Sequence, residues 1–356
     1  MIDNNIQPNV LIVGGYGVVG AQIASLLAGR HPNLHLILGG RSQEKAKAAT
    51  LALPNASAVR IDVEDSDPLA PLPLQPQVIV VAVNDHHDRL LLSATQRGIA
   101  IIDIARWQQR QDDAKRLLTG KKLTAPVILA SGWMASVAAI VAAAYRKSDR
   151  PARRIDIDVL FSSADKAGPD SVTSFVDMHK PFTIRHDGAD KTVLGMADPK
   201  PVRFSDGRTV KVRRFSSPDQ TTLVDTGFAH SVSARMGFDN SITTSAFALF
   251  ARSGLWGMLS AERRRSLLYK PGKGASHEFV VELVEETGTQ TLLVKDDLGQ
   301  THMTAISAAN QVERVLSLDG RHLPQPGIVF PEQSTDLARD VESMVAMGLI
   351  VGPAPQ

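Results

Sequence analysis

A glycine-rich turn between an apolar strand and an apolar helix constrains this chain more than any other feature. NVLIVGG is a short apolar run ended by glycines, and GAQIASLLAGRH follows with helical spacing at Ile23, Leu26 and Leu27. Between them Gly15, Tyr16, Gly17, Val18, Val19 and Gly20 fit G-x-G-x-x-G, with a strand before and a helix after. Gly15 is expected to allow the tight turn, Gly17 to let a pyrophosphate approach the backbone, and Gly20 to permit close helix–strand packing. The helix N-terminus would add free N–H groups and partial positive charge for the phosphates. A glycine-rich turn alone is weak evidence, so the argument rests on what surrounds it.

What surrounds it is a run of alternating strand-like and helix-like segments over about the first 145 residues. LHLILGG, SAVRIDV, VIVVAV, IAIIDIA and APVILASG read as strands, and SQEKAKAATLAL and HHDRLLLSATQRG as helices, the latter stopped by Gly98. VIVVAV is wholly apolar, as strands buried on both faces of a parallel sheet are. Repeated units of this kind predict an α/β chain with a Rossmann-like doubly wound parallel sheet. Residues 1–148 are assigned to that nucleotide-binding domain. Beyond Arg150, RRIDIDVLFSS, RTVKVRRFSS and the long HEFVVELVEETGTQTLLVKDDLGQTHMTAIS alternate or turn like hairpins. Residues 149–330 are therefore expected to form a second α+β domain, with a mixed, largely antiparallel sheet and a helix at SITTSAFALFARSGLW. STDLARDVESMVAMGLIV reads as an amphipathic helix over about 331–352, with Ser334 or Thr335 as its cap.

The second strand refines the nucleotide. An NAD site wants a carboxylate about 20 residues beyond the glycines, to take the ribose 2′-hydroxyl. Here Gly39 and Gly40 stand there, followed by Arg41 and Ser42, with Lys45 one turn on. The Arg41 fork can pair with a 2′-phosphate, Ser42 can donate and Lys45 adds charge, so NADP(H) is the expected cofactor. The plainer alternative is a solvated arginine at a helix start.

Composition excludes several classes. The chain has 356 residues and a formal net charge of +2, which gives no support to nucleic-acid binding. It has no cysteine, which removes disulfides, thiolate metal sites and cysteine nucleophiles and suits a reducing compartment, so a cytoplasmic location is expected. The uncharged stretch 127–145 is interrupted by Ser131, Gly132 and Ser136 and is read as a buried strand and helix, with no membrane partner expected. The ten histidines show no metal-ligand spacing, and no metal is expected. YKPGK at 269–273 matches Tyr-x-x-x-Lys, but Pro271 and Gly272 break the helix that pair needs.

Candidate residues follow from position. Asn84, His86 and His87 lie just past the carboxyl end of a central strand, where open α/β sheets bind ligands. Asn84 is assigned to the cofactor, and His86 or His87 to substrate or nicotinamide chemistry; a turn residue and a surface or capping histidine are the plainer readings. Asp103 and Arg106 follow the next strand, and Arg106 is assigned to substrate binding. Asp103 either orients a proton donor or caps a helix starting near Trp107. Asp62 and Val63 are expected beside the adenine. From the second domain, His179, Lys180 and His230 are possible carboxylate or proton partners, and Arg185 and Arg235 possible carboxylate binders, although solvated or structural roles are commoner.

The nucleotide half resembles the saccharopine dehydrogenase-like family. VLIVGGYGVVG, LILGGRSQEKA, VRIDVED and VIVVAVNDHHDRLLLSATQRGIAIIDIA carry the resemblance, with Asp103 in the place of the Asp that ends that family's strand. AGPDSVTSF, KPFTIRHDG and PGIVFPE extend it loosely into the second half. The resemblance implies a two-domain NADP(H)-binding protein, a C-terminal helix returning to the nucleotide domain, a homodimer and a small-molecule substrate. It also implies hydride transfer to or from an imine or secondary-amine acid. The chain departs from the family at Asn84-Asp85, where Pro-Tyr is common, and at ASGWMAS. Two rivals are a non-catalytic NADP-binding sensor or scaffold and an NADP-dependent carbonyl reductase.

Overall fold

The computed structural model describes residues 8–162, 164–165, 176–239, 241–268, 272 and 274–355. They form two compact units, 1–131 with 304–340, and 132–303 with 341–356.

In the first unit, six of the strand-like runs become parallel strands: β1 (Asn9–Val13), β2 (His35–Gly40), β3 (Ala56–Arg60), β4 (Val78–Val81), β5 (Ala100–Asp103) and β6 (Pro126–Leu129). Their spatial order is β6-β5-β4-β1-β2-β3, so the strand order reverses between β1 and β4. Leu11, Ile79, Ile101 and Val127 are essentially buried in one cluster with Ile37, Leu90 and Leu91. Helices α1 (Val18–Arg30), α2 (Gln43–Thr50), α3 (Arg89–Gln96) and α4 (Gln108–Leu118) complete the expected alternation. Gly98 ends α3 with φ +64°, as anticipated.

The second unit begins with α5 (Trp133–Ala144), which takes up the small-residue stretch that follows β6. Its start is not an ordinary first turn. Met134, Ala135 and Ser136 all have positive φ, a conformation that strains side-chain-bearing residues. Its large sheet contains β7 (Arg154–Phe161), β10 (Lys200–Arg203), β11 (Thr209–Arg214), β12 (Val232–Phe238), β13 (His277–Glu285) and β14 (Gly288–Asp296). Among the described residues, β7 and β12 pair in parallel and the other pairings of these strands are antiparallel. A separate hairpin joins β8 (Pro181–His186) to β9 (Ala189–Leu194). Helices α6 (Asp219–Asp225), α7 (Ser241–Arg252), α8 (Leu255–Met258) and α9 (Ala261–Leu268) accompany it.

The C-terminal part differs from expectation in two ways. QTHMTAIS, read as part of a hairpin, lies in helix α10 (Gln300–Val315). Asp165 accepts the Gln300 N–H at 2.9 Å, and Met303 and Ile306 are wholly buried, so capping and burial override the polar, branched composition. The helix expected over 331–352 is three elements: a 3-10 turn at Pro331–Gln333, α11 (Leu337–Ala346) and β16 (Ile350–Pro353). Gly348, at φ +112°, ends the helical path and lets β16 pair antiparallel with β14. β15 (Gly327–Val329) adds a seventh parallel strand beside β6.

Candidate functional site

The glycine turn leaves β1 with the N–H groups of Gly14 and Gly15 both donating to the Gly39 carbonyl, at 2.9 and 3.1 Å. The positive φ belongs to Gly14, at +88°, and not to Gly15. This corrects the expected division of labour: Gly14 makes the turn, because its carbonyl must swing under the helix to accept the Gly17 N–H at 2.8 Å. A Cβ on Gly20 would lie 2.2 Å from the Gly14 carbonyl oxygen, so the close packing expected of Gly20 is present. A Cβ on Gly17 would meet that same oxygen at 3.0 Å. Helix α1 starts with no side-chain cap and no acidic residue in its first turn. Its leading N–H groups therefore face outward past bare glycine backbone, which is the donor set a pyrophosphate needs.

The end of β2 is built by Tyr16 as much as by Gly40. The Tyr16 ring lies so close over Gly40 that a Cβ there would be 2.4 Å from Tyr16 Cε1. Its hydroxyl accepts the Ser42 N–H at 3.1 Å, and Ser42 Oγ accepts the Lys45 N–H at 3.3 Å as the cap of α2. Both hydroxyl oxygens are thus turned towards backbone donors, leaving their own protons to point away. Arg41 and Lys45 are exposed beside them, as is Glu44 in the same turn. Tyr16, like Val18 and Val19 an expected cofactor residue of the motif, thus also shapes the end of β2. Asp62 lies beyond the end of β3, paired with Arg60 at 3.3 Å and accepting the Glu64 N–H at 3.2 Å. Val63 packs against the hydrophobic cluster.

The crevice past β4 and β5 holds the densest group of charges among the predicted site residues. Val83, Asn84, Asp85, His86, Asp103, Ala105, Arg106, Trp107 and Arg110 line a small recess there. Asp103 is buried, with one oxygen on Arg106 Nε at 2.6 Å and the other on the Ala105 N–H at 3.1 Å. Arg106 Nη1 reaches Asp88 at 2.6 Å, and Arg110 joins the same carboxylate oxygen at 2.8 Å. Burial disfavours the Arg106 charge, but Asp103 and Asp88 outweigh it and raise its pKa. Asp85 caps α3 by accepting the N–H groups of Arg89 and Leu91, and burial raises its pKa. The helix near Trp107 has no side-chain cap, so Asp103 is the partner of Arg106 and not a helix cap. His86 and His87 are exposed, His87 lying 3.4 Å from Glu64.

The candidates from the second unit are dispersed. His230 is exposed, and Arg185 on β8 pairs with exposed Asp190 at 3.0 Å. Arg235 on β12 is largely buried and pairs with Asp198 at 3.1 Å and Asp156 at 3.5 Å. Lys180 pairs with Asp177, and burial lowers the pKa of His179. Both AGPDSVTSF and the Tyr269–Lys273 pair fall outside the described residues.

The sequence did not single out the buried polar group in this unit. Asp219 is wholly buried and accepts the N–H of Trp133 at 2.7 Å and the Ser217 hydroxyl. The Trp133 indole donates to Nε2 of His277 at 3.1 Å. The His277 proton therefore sits on Nδ1, and burial pushes the pKa of this fully enclosed ring down to about 3. Because the folded value lies below the unfolded one of 6.5, stability is fully present above that pH and is lost as pH falls towards 3. Between pH 6 and 4 the native chain should lose about 2–3 kcal/mol more than His277→Gln, followed by urea titration of tryptophan fluorescence. Equal losses would show that His277 does not resist protonation.

Residues 10–125 match the family model described as Saccharopine dehydrogenase NADP binding domain. The match bears out the resemblance. That stretch runs from β1 through α4 and ends just before β6, and so includes the cradle, the end of β2 and the recess beside Arg106. The match supports a nicotinamide dinucleotide as cofactor and an oxidoreductase as the class of protein. Among solved structures, apo saccharopine dehydrogenase (L-Glu forming) from Saccharomyces cerevisiae is similar at 14% identity and a TM-score of 0.65, over 98% of this chain and 100% of that one. At that identity it shows a shared fold. A myo-inositol dehydrogenase from Corynebacterium glutamicum aligns at 11% identity and a TM-score of 0.48, over 98% of this chain and 100% of that one. No curated protein sequence matches significantly. No described helix is long and apolar enough to cross a membrane.

Proposed function

We propose that the chain is an NADP-dependent oxidoreductase acting on a small imine or secondary-amine acid. One observation carries the cofactor part: the end of β2 gathers Arg41, Lys45 and the Tyr16 and Ser42 hydroxyls where an NAD site carries its carboxylate. Tyr16 and Ser42 have their oxygens occupied by backbone N–H groups, and Arg41 and Lys45 are cationic. Such a set suits a phosphate monoester, with two cations and two hydroxyls to meet its oxygens. Glu44 is the acid in that turn, and Asp62 is engaged by Arg60.

The glycine turn fits the rest of the dinucleotide: helix α1 begins on Gly17 with no side-chain cap, and Gly20 lets it pack against the Gly14 backbone. When bound, the nicotinamide supplies or accepts hydride. The chain's own contributions are to hold the pyrophosphate on the N–H groups of α1 and to fix the crevice walls through Asp103, Arg106 and Asp88. Exposed His86, which lines the recess, or its neighbour His87 is the group we assign to proton transfer. The imine substrate class rests on the family resemblance.

The test is NADPH oxidation across a panel pairing amines with keto or aldehyde acids, each partner also supplied alone. Oxidation that requires both partners is expected. Oxidation by a carbonyl compound alone would assign a carbonyl reductase, and binding of NADPH without turnover of any pair would favour a sensor or scaffold.

A further inference from the structure

Four of the twelve large apolar side chains exposed among the described residues fall within residues 249–267. Leu249 is 74% exposed, Leu255 52%, Met258 82% and Leu267 59%. Single exposed leucines are common on protein surfaces, whereas a cluster of them marks an interaction site. The stretch is also basic. Residues 249–273 carry four arginines, two lysines and one glutamate, a formal charge of +5 in a chain whose total is +2. The small total hides this patch, which is why composition alone points to no membrane partner.

The three helices of the stretch are pinned together, so their exposed side chains emerge from neighbouring points. Trp256 of α8 is buried, its ring centroid 5.0 Å from that of Phe247 and 5.7 Å from that of Phe250, both on α7. Its indole donates to the Val176 carbonyl at 3.1 Å, and Arg264 Nη1 of α9 donates to the same oxygen at 3.2 Å. Each exposed apolar residue stands close to one of these anchors. Leu249 precedes Phe250, Leu255 precedes Trp256, and Leu267 follows Arg264 by one helical turn. Leu255 and Met258, one turn apart on α8, emerge together, and Arg263 and Leu267, at i and i+4, set a cation beside a leucine on α9. Arg263 and Arg265 are exposed, while Arg264 between them is held by Asp177 at 2.9 Å.

Protruding apolar tips combined with surplus positive charge decide the partner. A second copy of the chain would bring the same patch, and its like charge, against itself. A nucleic acid would match the charge and leave the leucines and the methionine in water. An anionic bilayer takes both, with the apolar tips at the acyl boundary and the guanidinium groups among the head groups. We infer that helices α7, α8 and α9 form a docking surface for an anionic lipid bilayer. This is a peripheral contact that needs no spanning helix, and it is independent of the cofactor reading.

Flotation of the full chain with lipid vesicles tests it. Vesicles of phosphatidylcholine with about 30 mol% phosphatidylserine are compared with phosphatidylcholine alone. The native chain should float with the anionic vesicles, remain behind with the neutral ones, and lose most of its binding in about 0.5 M salt. Arg263→Gln with Arg265→Gln should weaken binding roughly twentyfold, about fivefold for each charge withdrawn from the lipid surface. Leu255→Ser with Met258→Ser, which leaves every charge in place, should weaken it about tenfold. Both pairs lie on the surface, so thermal melting and NADPH binding should stay as in the native chain. Absence of flotation with anionic vesicles at low salt would overturn the inference and leave the cofactor reading standing. Flotation that both double variants retain in full would place the contact elsewhere and overturn it too. So would flotation sensitive to the arginines alone, which is charge attraction without insertion. A native dimer in sedimentation that Leu255→Ser with Met258→Ser dissolves would assign the patch to a second copy instead.

Discussion

Replacing Arg321 by alanine is expected to cost the first unit about 3–5 kcal/mol, the usual penalty for removing one partner of a buried ion pair. Arg321 is wholly enclosed, and each nitrogen of its fork has an acceptor. Nε lies 2.7 Å from Asp319, Nη1 donates to Asn310 at 2.6 Å and to Asp340, and Nη2 is 3.3 Å from Glu313. Asp340 and Glu313 are themselves inaccessible to water. Glu313 also accepts from Arg30 at 2.6 Å and from His31 at 2.8 Å, which ties the end of α1 to α10. Without Arg321, Glu313 would keep Arg30 and His31 as partners, whereas Asp340 would keep Asn310 and lose its direct ion pair. Burial already raises the Asp340 pKa, so the variant should take up a proton there on folding. Urea denaturation of Arg321→Ala against the native chain measures the loss. A change below about 1 kcal/mol would mean that the cluster is solvated and contributes as a surface pair does.

None of that cluster was legible in the sequence. Its members lie on α1, α10, the loop after it and α11, and their meeting depends on residues 304–340 clustering with the first unit. The parallel sheet, by contrast, could be read directly. Strands buried on both faces must be apolar throughout, and VIVV and AIID announce themselves whatever their partners. The glycine turn was legible as a motif but not in its detail. The pattern begins at Gly15, while the positive φ falls on Gly14, the residue before it. QTHMTAIS shows the opposite failure. Its local composition favours neither helix nor strand, and the decision comes from the Asp165 cap and from the buried faces of Met303 and Ile306. Asp103 and Arg106, at i and i+3, were both identified as crevice residues; that they pair with one another was not.

The central claim is that the end of β2 selects for a phosphate. In Arg41→Ala the bidentate partner of that phosphate is gone, while Tyr16, Ser42 and Lys45 remain. Charge-assisted hydrogen bonds of this type are worth about 1.5–3 kcal/mol, or roughly ten- to a hundredfold in affinity. Arg41 is exposed and takes no part in the core, so the substitution should leave folding within about 0.5 kcal/mol of the native value. Fluorescence titration of both proteins with NADPH and with NADH is the direct measurement. The account predicts that the native chain prefers NADPH, and that Arg41→Ala loses that preference with its NADH affinity unchanged. Equal affinity of the native chain for the two nucleotides, or an equal loss of both in the variant, would contradict it.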